Sequence, residues 1–383
     1  MTHRCTIIAA FVAVAFINGN AHAMSKWWLA DVEQALTSAG SNRAELEKAL
    51  DTVPLEQRKG MAFLVANMPE SDLKSLKADF LLSNCELAYK ARKEVPWGMN
   101  IPEEVFLNDV LPYANVDETR DAWRKEFFEL CMPIVKECKT PSEAAMMLNS
   151  EIFKKLKVGY STQRKAPNQS PKESIETGKA SCTGLSIVLS DACRAVCIPA
   201  RLAGTPLWAN KRGNHTWVEI WDKGWHFTGA CEQDPNGLNR GWFVGDAAQA
   251  RKDSFEHAIY AASFQKSKVY FPLVWDMKNK SVPAENVTER YAKKTVPTAD
   301  GVTVLVRVFD AGKKRVAVDV IVTAKDDPKV KFEGKSRGET ADTNDILSFK
   351  LQPGREYVIA VGGVEKTIKT AENVQQQIEI VVK

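Results

Sequence analysis

The chain has 383 residues, of which 44% are hydrophobic and 26% charged, the composition of ordinary globular protein with enough apolar surface for two or three domains. Lys plus Arg number 52 against 48 for Asp plus Glu, a small excess spread along the chain, which gives a nucleic-acid-binding or polybasic membrane surface no support. No repeat or low-complexity tract stands out, and 21 Gly with 17 Pro argue against a collagenous or disordered polypeptide.

The chain starts with a short basic segment from Met1 to Arg4, followed by an almost unbroken apolar run over residues 6–17 and the small-residue site Ala21-His22-Ala23. This pattern predicts a signal peptide at 1–23, a mature start at Met24 and a periplasmic or secreted protein. Cys5 lies before the apolar run, whereas a lipoprotein needs its cysteine after it. The run is short for a bilayer span, and no later stretch approaches ~20 apolar residues, so no membrane association beyond the export signal is expected.

Loss of Cys5 leaves Cys85, Cys131, Cys138, Cys182, Cys193, Cys197 and Cys231. In an oxidising compartment an odd number predicts at least one free thiol. There is no CxxC and few histidines stand near these cysteines, so neither a metal site nor a cofactor is expected. Cys193 and Cys197 are badly placed to pair with each other. Cys197 with Cys231, and Cys85 with Cys131 or Cys138, are the conjectured bridges.

Residues 26–138 read as helical, with Leu46, Ala49 and Leu50, and then Trp123, Phe127, Phe128 and Leu130, at helix-face spacing, and with Pro96, Pro102 and Pro112 as dividers. Thr140-Pro141-Ser142-Glu143 combines a cap, a proline at the first helical position and a glutamate three residues after the cap, predicting a helix to about Leu156. The polar stretch 168–179 reads as loop. A further helix is expected over 182–196, because Cys182, Leu185, Leu189, Ala192, Cys193 and Val196 share one face. Strands follow at 200–208, 216–221 and 225–230, the last two joined by Asp222-Lys223-Gly224. Helix followed by antiparallel sheet is an α+β arrangement. After Tyr291 the alternation of Val302, Val304, Val306 and Val308, and of Val316, Val318, Val320 and Val322, with further strands at 346–351, 357–361 and 378–382, predicts a small β-sandwich behind a linker at 293–298.

With the signal removed, the histidines are His215, His226 and His257. A cysteine nucleophile needs a base in hydrogen-bond reach and a third group to orient that base. Cys182 is expected at a helix N-terminus, where the positive end of the dipole stabilises thiolate and the free amides can face a developing oxyanion. His215 opens a strand and shares a face with Trp217 and Glu219, so it can project from a sheet end toward a helix tip. His226 reads as a strand filler, and His257 as part of a surface helix.

Three segments taken in order, Gly178-Lys179-Ala180-Ser181-Cys182-Thr183-Gly184, Arg194-Ala195-Val196-Cys197-Ile198-Pro199-Ala200-Arg201 and His215-Thr216-Trp217-Val218-Glu219, resemble the transglutaminase-like superfamily. The resemblance implies a papain-like core with Cys182 as nucleophile and His215 as base. Together with the patterns read above, this divides the chain into signal peptide 1–23, helical domain 24–138, catalytic core 139–292 and β-sandwich 296–383, the resemblance itself covering only the core. Two positions depart from the family pattern. Cys197 stands where the family has Gly, a place that tolerates positive φ. The family's Asp, four residues beyond the Trp of the second strand, would fall on Gly229.

Nearby acids are Glu232 and Asp234. The segment also resembles the Asp-Pro-Cys-Glu of peptide N-glycanases, with the Glu kept as Glu232. Glu232 is favoured as the orienting acid because its extra methylene can span part of the displacement, with Asp234 in reserve and a backbone or amide group as the alternative to both. Among Trp208, Trp217, Trp221, Trp225 and Trp242, most are expected to be packing, with Trp208 and Trp217 assigned to substrate binding. The expected activity is a hydrolase attacking an amide or peptide carbonyl through a thioester, on a peptide or glycopeptide, with hydrolysis favoured over amine transfer. The alternative is a catalytically weak or inactive relative that binds peptide or glycan.

Overall fold

The computed structural model describes residues 26–292, 301–372 and 375–382. The signal peptide at 1–23, the start at Met24 and the linker at 293–298 lie outside these residues. Among the described residues no helix is long and apolar enough to cross a membrane.

The first part is helical: α1 (Ala30–Ser38), α2 (Arg43–Thr52), α3 (Arg58–Asn67), α4 (Glu70–Leu73), α5 (Ala78–Glu94), α6 (Glu103–Asp109) and α7 (Arg124–Val135). Leu46, Ala49 and Leu50 all face inward from α2. Pro102 precedes α6 directly. The expected Thr140 signal gives α8 (Pro141–Leu156), with the Thr140 side chain accepting from the Glu143 amide and the Glu143 side chain reaching back to the cap.

The stretch 168–179 is not all loop. It holds α9 (Pro171–Thr177), opened by a second capping box between Ser170 and Glu173. The Ser170-Pro171-Lys172-Glu173 sequence carries the same signature as Thr140-Pro141-Ser142-Glu143, but its two-turn helix is too short to show an apolar period. α9 runs into a two-residue parallel pair, β1 (Gly159–Tyr160) with β2 (Lys179–Ala180).

α10 (Cys182–Ala195) is the central helix, with all its residues after Cys182 buried. Against it lies a six-stranded antiparallel sheet in the order β5-β4-β3-β6-β8-β7. These strands are β3 (Ala200–Thr205), β4 (His215–Trp221), β5 (Trp225–Thr228), β6 (Tyr260–Ala262), β7 (Val269–Tyr270) and β8 (Pro283–Asn286), with the short helices α11 (Val244–Ala247) and α12 (Thr288–Ala292) beside them. Because side chains alternate along a strand, β4 serves two layers. Val218 and Ile220 join the core that α10 shares with the N-terminal helices, whereas Trp217 joins a second cluster with Trp208, Phe227, Phe243 and Tyr291. The 255–258 segment is a turn rather than a helix, and His257 Nδ1 is 3.1 Å from the Leu207 carbonyl oxygen.

Register places Arg201 opposite Glu219. The Glu219 carboxylate receives Arg201 Nε at 2.9 Å, Arg290 Nη1 at 2.8 Å and Tyr291 Oη at 2.7 Å. A buried carboxylate is tolerable only when its lone pairs are filled in this way. The Arg of the second motif and the Glu of the third thus pair with each other as structural partners.

The C-terminal part is a sandwich of two sheets, ordered β11-β10-β13-β14 and β12-β9-β15. Its strands are β9 (Val302–Phe309), β10 (Asp319–Ala324), β11 (Lys331–Lys335), β12 (Leu347–Leu351), β13 (Glu356–Val361), β14 (Val364–Lys369) and β15 (Gln376–Val381). Val302, Val304, Val306 and Val308 all point into its core, as do Val320 and Val322, but Val316 and Val318 precede β10 and are only partly buried. β11 and β14 escape a reading by apolar period because β11 reads Lys-Phe-Glu-Gly-Lys and β14 Val-Glu-Lys-Thr-Ile-Lys.

Candidate active site

Cys182 is the first residue of α10. Ser181 is extended and caps the helix, its Oγ accepting from the Gly184 amide at 3.0 Å. The Cys182 and Thr183 amides lie in the first turn, where a helix provides no acceptor of its own. The thiol therefore sits at a concentration of N–H groups that favours negative charge.

His215 is the first residue of β4, paired with Thr205. The same antiparallel pairing puts Thr216 against α10: Thr183 Oγ1 donates to Thr216 Oγ1 at 3.0 Å, and Ser186 Oγ to the Thr216 carbonyl at 3.3 Å. These ties hold the strand end over the helix tip, where the Cys182 thiol makes hydrogen bonds with the His215 ring and with the Thr216 amide. His215 Nε2 is 2.9 Å from Glu232 Oε1. This leaves Nδ1 as the ring nitrogen for the thiol. Trp242 Nε1 donates to the other carboxylate oxygen, Oε2, at 2.8 Å.

The charges follow from these contacts. Burial opposes ionisation of His215, but the Glu232 carboxylate and the thiol outweigh it and raise the imidazole from 6.5 to about 9. Burial likewise pushes the Cys182 thiol up, and the His215 hydrogen bond and charge more than reverse it, leaving the thiol below its ordinary value. Each of Cys85, Cys131 and Cys197 moves the other way, up to about 12, because burial dominates: it acts alone on Cys131, and the nearby arginine charges oppose it only in part at Cys85 and Cys197. Cys182 is thus the thiol whose surroundings favour thiolate.

Glu232 reaches His215 from an irregular loop held by α8. Asn149 Nδ2 donates to the Gly229 carbonyl at 2.8 Å and to Thr228 Oγ1 at 3.1 Å, and Asn149 Oδ1 accepts from the Cys231 amide at 2.9 Å. Cys231 takes a left-handed conformation, φ 65°, which turns the next side chain back toward the sheet. Asp234 does not join the cluster. Its carboxylate faces Arg240 at 3.3 Å and the Asn236 amide at 2.8 Å.

Trp208 and Trp217 do not line the cleft. They are 1% and 0% exposed, stacked on each other with centroids 6.1 Å apart, and so brace His215 from behind. Trp242, 41% exposed, is the tryptophan that faces solvent, with its ring 4.7 Å from His215. The cleft, about 300 Å³, is lined by Cys182, His215, Glu232 and Trp242, with Tyr160 and, from the sandwich, Asp342. Sequence alone gives no signal for Trp242 or Asn149 at the site, since an exposed Trp in an irregular loop and an Asn inside a helix carry no local pattern.

His226 points elsewhere, its Nδ1 2.9 Å from Asn239 Nδ2. The seven described cysteines are all free thiols, so the conjectured bridges are not formed. Cys197 is fully buried and Cys231 exposed; they face different environments. Cys197 does have positive φ, 56°, and its carbonyl is tied by Trp97 Nε1 at 3.0 Å.

Residues 129–246 match the transglutaminase-like superfamily, a stretch that includes Cys182, His215 and Glu232, so the motifs belong to a transglutaminase-like domain. No curated protein matches the chain. Similar solved structures include a candidate cysteine protease from Cytophaga hutchinsonii, 18% identical over 51% of this chain and 60% of that one, TM-score 0.29. A candidate protease from Parabacteroides distasonis is 7% identical over 62% and 36%, TM-score 0.26. Red sea bream transglutaminase is 9% identical over 76% and 59%, TM-score 0.27. The chain therefore spans less than two thirds of the length of each of these three.

Proposed function

We propose that this is an exported cysteine enzyme that cleaves a carboxamide or peptide bond through a Cys182 thioester. The observation that supports this most is the unbroken hydrogen-bonded line from the Cys182 thiol through His215 to Glu232 at the floor of an open cleft. His215 takes the thiol proton and the thiolate adds to the carbonyl carbon. The oxyanion then forms beside the amides that open α10. Collapse breaks the C–N bond, and His215 returns the proton to the departing amine or ammonia. Water, deprotonated by His215, next attacks the thioester and releases a carboxylic acid, with the thiol restored. Glu232 keeps the imidazole oriented and favours its charged form.

Hydrolysis is favoured over amine transfer because water is always at hand, whereas an amine acceptor needs a site of its own. The substrate class is peptide or glycopeptide. Glu232 at 2.9 Å from His215 supports this reading over that of an inactive binding relative, which rested on loss of the orienting acid. The test is incubation of the mature protein and its Cys182→Ala variant with a denatured protein substrate, with and without a primary amine. New carboxyl groups and released amine or ammonia are expected from the parent alone. Predominant incorporation of the added amine would make it a transferase, and equal turnover by the variant would end the assignment.

A further inference from the structure

The sandwich sends the loop between β11 and β12 onto the core beside His215. Asn344 makes three hydrogen bonds there. Its Nδ2 donates to the Asn214 carbonyl at 2.7 Å, its Oδ1 accepts from Trp208 Nε1 at 3.1 Å, and its carbonyl accepts from Arg212 Nη1 at 3.0 Å. Each partner is one step from the base or its supports. Asn214 precedes His215, whereas Trp208 lies 6.3 Å from the His215 ring between centroids. Arg212 is ion-paired with the buried Asp246 and stands 4.9 Å over the Trp242 ring, whose Nε1 holds Glu232. A side chain on residue 213 would not allow this approach: a Cβ on Gly213, φ 151°, would be 2.7 Å from Thr343 Oγ1 and 3.1 Å from Asn344 Oδ1.

We propose that Asn344 is a positioning residue through which the C-terminal sandwich sets the His215 ring, and with it the reactivity of Cys182. A strand end can drift, and His215 is the first residue of β4, held from the core side through Thr205 and Thr216. Asn344 fixes that end from outside the core. It connects the backbone just before the base to the tryptophan behind it, so the strand end that carries the ring cannot shift without breaking one of these hydrogen bonds. The sandwich is then part of the working site rather than an appended module. The inference rests on the reading of Cys182 and His215 as a reactive pair.

The experiment is the rate of Cys182 carboxamidomethylation by iodoacetamide between pH 5 and 10, followed by mass spectrometry in the full chain. The parent, Asn344→Ala, Asn344→Asp, Trp208→Phe and His215→Ala proteins are compared, each with its thermal midpoint. Asn344→Ala is expected to slow the reaction at neutral pH on the order of 10-fold to 100-fold, as sub-ångström to 1 Å misplacement does, and to move the rise in rate to higher pH. Asn344→Asp keeps the acceptor for Trp208 but loses the donor to Asn214, and should shift the profile in the same direction. Trp208→Phe, which removes the indole N–H that Asn344 accepts from and narrows the ring behind His215, should shift the profile in the same direction even if Asn344→Ala does not fold. Parent-like profiles for the Asn344 and Trp208 variants beside a slowed His215→Ala protein would overturn the positioning role alone. Equal rates for the parent and His215→Ala would overturn the reactive pair and this inference with it.

Discussion

A Cβ on Gly229 would stand 2.5 Å from both Cγ and Oε1 of Glu232, so the two residues claim one space. Glycine at 229 is what lets the Glu232 carboxylate lie against His215. The resemblance places an aspartate at 229, and the acid that occupies that space instead comes from three positions further along, carried back by the left-handed turn at Cys231.

Gly229→Ala should therefore push the Glu232 carboxylate away from His215 and lower turnover about tenfold or more while leaving the fold intact, since 229 lies at the end of β5. The double variant Gly229→Asp with Glu232→Ala should recover activity relative to Glu232→Ala alone. Steady-state kinetics of the four proteins decide this, and additive losses with no recovery would refute the shared space.

Glu232→Gln should lower kcat on the order of 10²-fold, the scale of losing support for a general base. Asp234→Asn should stay near parental activity, because Asp234 is engaged by Arg240 and Asn236. A loss of similar size from Asp234→Asn would reassign the acid. His226→Ala should likewise keep most activity and His215→Ala should not.

The pH dependence has a fixed sense. Cys182 sits below its ordinary value and His215 is raised to about 9, so thiolate and imidazolium coexist between the two. Turnover should rise as pH passes the lowered thiol value and fall above about 9, where His215 can no longer protonate the leaving group. Glu232→Gln should bring the falling limb to lower pH. A falling limb unmoved by that change would separate Glu232 from the charge of the base.

Asp109 gives a stability prediction away from the cleft. Burial raises its carboxyl from 3.8 to about 6, only partly relieved by Arg201 and Arg194. A raised folded-state value means stability that is full below 3.8 and lost as pH rises through about 6, amounting to at most about 3 kcal/mol for a shift of this size. Asp109→Asn should raise the thermal midpoint at pH 8 and change it little at pH 4. Calorimetry at the two pH values checks this, and destabilisation at pH 8 would show that the charged form is in fact supported.

Much of the site was legible because its chemistry sits in contiguous motifs. A cysteine after a serine cap, a histidine opening an alternating strand and the capping box of α8 are local patterns, since caps and strand faces depend on residues a few positions apart. α9 carried the same local signal at Ser170 and Glu173. β11 and β14 did not, because edge strands bury one side chain in several and lack an apolar period.

Local patterns in the chain are enough to place Cys182 at the head of a helix, His215 at the start of the strand able to face it, and valines at every second position in a separate sandwich. They narrow the acid to Glu232 or Asp234. Which of the two lies against His215 emerges only in the packed chain, because it turns on a left-handed residue at 231, an Asn149 anchor from α8 and the space above Gly229. Packing likewise decides that Trp208 and Trp217 brace the base while Trp242 faces the cleft. The physical reason is the same in each case: local patterns fix which way a backbone turns, whereas burial and hydrogen-bond partners are set by segments that meet only when the chain is packed.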